Sequence, residues 1–145
     1  MKKIFNLLVI LFVAIFTWTS CSKDDGDWDP MKWEKYSYQT EKMSNGEKAI
    51  SVPKSGGTYT FKCKNYNHLW IENVWEEVGR QREIFRYMYN DSPIINGNFT
   101  ATQIQDGSTF TITFAPNKTE KERIAHVDVS AGDTGDHFTF KQSEQ

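Results

Sequence analysis

The chain has 145 residues, with 17 basic and 19 acidic side chains and 14% aromatic residues. That length fits one domain with one hydrophobic core, and a slightly acidic balance argues against nucleic acid as a partner. Cys21 and Cys63 are the two cysteines, placed so that stability must come from packing rather than from disulfides.

The chain opens with a targeting pattern. Lys2 and Lys3 precede an unbroken apolar run from Leu7 to Phe16, and the small residues Thr19 and Ser20 lead into Cys21. A helix needs roughly 20 apolar residues to span the bilayer, so this run is too short and reads as an export signal. Trp18-Thr19-Ser20-Cys21 resembles a lipobox, with Trp where Leu is common. The resemblance implies cleavage before Cys21 and acylation of its sulfur, which anchors the protein without a transmembrane helix. Removing Lys2 and Lys3 leaves 15 basic against 19 acidic groups, a formal charge of about −4.

Ser22-Lys23-Asp24-Asp25-Gly26-Asp27 is a charged stretch that stays solvated. It is similar to the acidic export tag of surface lipoproteins in the Bacteroidota. Its Asp residues lack the alternating ligands and terminal Glu of a calcium loop. Three segments follow: a signal peptide over 1–20, a lipidated cysteine with a polar linker or arm over 21–45, and a β-domain over 46–145.

From Ala49 onward the apolar period is two. Ile50 and Val52 precede Pro53 and a Ser55-Gly56-Gly57 turn; Tyr59, Phe61 and Cys63 then alternate with polar residues. Trp75 to Arg86 is rich in helix formers, but Gly79 interrupts them. Three alternating runs close the chain: Phe110-Ile112-Phe114, Ala125-Val127-Val129 and Phe138-Phe140. The intervening turn signals are Asp106-Gly107, Pro116-Asn117 and Ala131 to Asp136. Short strands with such turns predict an all-β, antiparallel sandwich.

These residues carry a family resemblance. Ile50-Ser51-Val52-Pro53, then Gly56-Gly57, an alternating strand and Trp70 resemble the opening half of the BACON domain, the Bacteroidetes-associated carbohydrate-binding, often N-terminal domain. Phe110 to Phe114, Ala115-Pro116-Asn117 with Thr119, Arg123-Ile124-Ala125 and a strand ending in Lys141-Gln142-Ser143 are similar to its asparagine turn, arginine-led strand and terminal glutamine. The resemblance covers about residues 49 to 143. It implies an immunoglobulin-like β-sandwich and a carbohydrate ligand. The stretch over 71–105 is longer than the family's usual spacing, which makes it the expected seat of an individual function. Many relatives join the domain to a glycoside hydrolase, and that linked role is not carried over.

Sugar recognition calls for flat aromatic faces flanked by hydrogen-bonding groups. Trp70 is assigned to the core, where a sandwich buries its central tryptophan. Trp75, Tyr87 and Tyr89 are the candidate ligand-binding platform, against the plainer reading that they cover a loop. No catalytic residue and no cofactor are expected. Glu76 and Glu77 are adjacent, so strand geometry aims them apart, and they read as a solvated face. A zinc site would draw on His68, His126 and His137; with a turn at 130–136, His126 lies opposite Thr139 or Phe140, and the strand histidines are taken as unpaired, with no metal site. Cys63 is expected to be buried and inert. Two functions remain open: an outer-membrane, cell-surface lipoprotein binding polysaccharide or mucin glycans, and a structural module contacting a surface protein partner.

Overall fold

The computed structural model describes residues 28–86 and 94–144. It contains ten strands and, among the described residues, no helix: β1 Thr40–Lys42, β2 Lys48–Val52, β3 Gly57–Lys62, β4 Trp70–Val78, β5 Gln81–Arg86, β6 Ile94–Asn96, β7 Thr100–Gln105, β8 Thr109–Phe114, β9 Arg123–Ala131 and β10 Thr134–Gln142. They form a six-stranded sheet of order β1-β2-β10-β9-β4-β5 and a four-stranded sheet of order β3-β8-β7-β6. Every neighbouring pair is antiparallel except β2 and β10, where Phe140 pairs with Ile50 in parallel register. The architecture is the expected all-β sandwich.

The core forms where the inward faces of the alternating runs meet. Phe61, Phe110, Phe114, Phe138 and Phe140 are buried, with Phe61 stacked on Phe110 at 4.7 Å and tilted against Phe138 at 4.8 Å. Each such side chain contributes roughly 1.5–3 kcal/mol by leaving water. Gly56, at φ +77°, makes the turn into β3; a Cβ there would meet the Phe114 carbonyl oxygen at 2.2 Å.

Trp75 to Arg86, where Gly79 interrupts the helix formers, is a β-hairpin, with Val78 paired to Gln81 around Gly79-Arg80. Two features differ from the sequence reading. Trp70 is 44% exposed, and Leu69, Ile71 and Val74 take the core positions. The cause is a bulge between Ile71 and Asn73, which reverses the alternation so that Trp70 faces away from Val74. Glu76 is 2% exposed rather than solvated.

The arm before β1 is ordered against the sandwich. Met31 is buried, and Trp33 makes an isolated bridge to Cys63. The Trp33 ring packs edge-on against Phe110 and Phe138, and its Nε1 donates to Asp136 Oδ2 at 2.6 Å. Buried, unpaired Cys63 donates through Sγ to Asn65 Oδ1.

Two side chains lock the closing seam. Buried Asn117 donates through Nδ2 to the Lys121 and Ser143 carbonyls, while its Oδ1 accepts from the Thr119 amide and hydroxyl. Gln142, fully buried, donates through Nε2 to the Ala115 carbonyl at 2.8 Å. Backbone groups stranded by the irregular 115–121 segment thereby find partners.

Candidate functional site

The inward residues of β9 and β10 build the core, so the intervening residues His126, Asp128, His137 and Thr139 share the outward face of the six-stranded sheet. Thr139 is opposite His126 in register. His137 lies two residues before Thr139, a diagonal neighbour on the same face and within reach of a ring. The two histidines therefore meet, with His126 Nδ1 3.2 Å from His137 Nε2 and their rings stacked at 5.3 Å. The expectation that they are unpaired is corrected here, because it counted only directly opposed residues.

The parallel register of β2 on β10, continued back from Ile50, brings Glu47 beside His137. Its Oε1 is 3.6 Å from His137 Nε2 and accepts a hydrogen bond from the Thr139 hydroxyl. Thr139 Oγ1 is in turn 3.1 Å from both His126 Nδ1 and His137 Nε2. On its far side His137 Nδ1 meets Asp128 Oδ1 at 2.8 Å, and Asp128 Oδ2 accepts from Asn73 Nδ2 at 3.2 Å. His68, which pairs with Asn67, stands outside this cluster.

Trp75 walls the cluster from β4. Its indole stacks on His126 at 4.7 Å and 11°, and on His137 at 5.1 Å. Arg82 of β5 lies over the same ring at 4.9 Å from its centroid. Since β5 and β9 flank β4, both indole faces are covered. Trp75 is thus a wall between side chains rather than an open stacking platform. Its proposed companions Tyr87 and Tyr89, and the lipidation candidate Cys21, lie outside the described residues.

The electrostatics favour a neutral His126 beside an ionised Glu47. Burial, then the charge of His137, lowers the pKa of His126 below the usual histidine range, outweighing the opposing pull of Glu77 and Glu47. The hydrogen bond from Thr139 lowers the pKa of Glu47 against a smaller effect of burial. Half-buried Glu77 sets Oε1 3.9 Å from His126 Nε2 and 3.7 Å from Arg82 Nε.

A second carboxylate has a different task. Buried Glu76 points inward and accepts the Asn98, Phe99 and Thr100 amides and the Thr100 hydroxyl at 2.8–3.1 Å. This ties the β6–β7 turn to the opposite sheet. A lone acidic residue gave no sign of it, because the donors come from a turn more than twenty residues downstream.

No protein-family model matches the chain, and no curated protein matches it. The solved structure titled "NMR structure of the protein from Bacteroides thetaiotaomicron" is similar, with 30% identity and a TM-score of 0.59 over 87% of this chain and 97% of that chain. The chain belongs to the same family as this Bacteroides protein.

Proposed function

We propose that the chain is an outer-membrane surface lipoprotein whose non-catalytic, BACON-like sandwich binds neutral polysaccharide on the outward face of its six-stranded sheet. The observation that carries this reading is the exposed indole of Trp70 on a polar sheet face. Trp70 pairs with Ser130, and Ser130 lines a depression of about 630 Å³ together with Glu72, Asp128, Asp133, Asp136 and His137. A flat apolar ring beside hydrogen-bonding groups suits the two kinds of surface a sugar presents. The carboxylates repel sialylated or sulfated glycans, which selects neutral ones. The Asn117 and Gln142 locks support the BACON resemblance, and the leader ending in Cys21 supports the anchor.

The test uses the full-length chain in mild detergent. Affinity electrophoresis through neutral polysaccharides should show retardation that Trp70→Ala reduces at least tenfold with little change in melting temperature. A glycan array and gels in which nothing binds the parent would overturn the glycan reading. Cys21→Ala should move the protein out of the membrane fraction.

A protein-interaction role is the second reading, favoured by Ile84, 51% exposed on β5 at the end of its sheet. An apolar side chain on an edge strand suits a partner that adds a strand. Crosslinking in cells that is lost with Ile84→Lys would favour it.

A further inference from the structure

We infer that Glu47, His126 and His137 form a binding site for a divalent transition-metal ion of the zinc class. The inference borders the glycan reading, since His137 and Asp128 also line that depression, but it calls on a different ligand, so zinc binding and glycan binding succeed or fail separately.

The geometry comes first. Glu47, His126 and His137 each offer a ligand atom, and the three atoms lie within 4.8 Å of one another. Zinc bonds of about 2.0–2.2 Å to nitrogen and oxygen place tetrahedral ligand atoms roughly 3.3–3.5 Å apart. The two nitrogens are 3.2 Å apart, and His137 Nε2 is 3.6 Å from the carboxylate oxygen. Thr139 Oγ1, 3.1 Å from each nitrogen, borders the same point, so the fourth position falls to this hydroxyl or to water.

The protons agree with it. Asp128, a carboxylate, accepts from His137 Nδ1, so a ring holding its single proton there turns the Nε2 lone pair into the cluster. A carboxylate behind a histidine in this way fixes the tautomer and strengthens the ring as a ligand. The 3.2 Å contact between nitrogens needs one proton, supplied by His126 Nδ1. An ion takes its place when that proton moves to His126 Nε2, which faces Glu77 Oε1 at 3.9 Å. No net proton is released, and no redox step is involved.

Ligand type selects the ion. Two imidazoles and one carboxylate suit zinc and its neighbours, whereas calcium and magnesium require oxygen donors. Trp75 and Arg82 cover the β4 side, while Glu47 and His137 are more than a third exposed through their side chains and leave an entry path.

The experiment is a zinc titration of the metal-stripped full-length chain in mild detergent, read by calorimetry and by the ¹⁵N shifts of the histidine rings. One zinc ion should bind per chain, shifting His126 Nδ1 and His137 Nε2 and leaving His68 unmoved. Glu47→Gln and His137→Asn alter partly exposed side chains and should fold, each weakening zinc at least tenfold; Asp128→Asn should weaken it about tenfold through His137. Cobalt substituted for zinc should give the intense visible bands of a four-coordinate centre. Absence of stoichiometric zinc binding, or binding equally tight in the Glu47→Gln His137→Asn double variant, would overturn the site.

Discussion

Glu76 and Glu47 are two carboxylates on one sheet with opposite surroundings. Glu76 faces inward and is saturated by backbone and hydroxyl donors, so its lone pairs are spent on holding a turn. Glu47 faces outward into a cluster of acceptors, where two imidazole nitrogens and a hydroxyl share too few protons to satisfy every lone pair separately. Donors gathered around a carboxylate make a structural clamp, and acceptors gathered around one make a seat for a cation. Glu76 is buried and Glu47 is partly exposed, and the count of protons around each separates them further.

The contrast can be broken most strongly at the clamp. Glu76→Ala should destabilise the protein by roughly 3 kcal/mol or more, since three amides lose their acceptor at once, as measured by urea denaturation. Gly97→Ala reaches the same clamp from the other side: a Cβ there would meet Glu76 Oε1 at 2.2 Å, and a loss of about 1–3 kcal/mol is expected. Glu47→Gln should cost less than about 1 kcal/mol by the same assay, because the amide oxygen can still accept from Thr139 and the side chain reaches water, so a larger loss would make Glu47 a clamp as well.

The smallest effect is expected at Lys141, which bridges Glu122 at 2.9 Å and Glu41 at 3.0 Å. The hydrogen bond to Glu122, then that to Glu41, raises its pKa above the ordinary lysine value of 10.5. The charged form is favoured on folding, so the stabilisation is fully present below about pH 10.5 and disappears as pH climbs through the raised value. Lys141→Met should therefore lose under about 1 kcal/mol at neutral pH, discounted for solvent exposure, and match the parent once the lysine is deprotonated.

Legibility followed the reach of each interaction. The inward alternation of Phe110, Ile112 and Phe114, or of Ala125, Val127 and Val129, is a local period of two and was readable in the chain. Cys63 was assigned correctly to the interior for the same reason. Trp70 was misplaced because one bulged residue reverses a strand, and neither Ile71 nor Glu72 announces a bulge. The histidine cluster needed two facts that no local pattern carries: diagonal reach across an antiparallel pair, and the parallel docking of β2 that delivers Glu47 from ninety residues away.

That parallel docking has a kinetic side. β10 occupies the interior of its sheet, between β2 and β9, yet is the last of the ten described strands in chain order. Until it arrives, β1 and β2 have no neighbour to extend them, so assembly must wait for a loop of about ninety residues to close. Folding should therefore be slow for a chain of this length, and trimming the final strand should leave the polypeptide unable to finish either half.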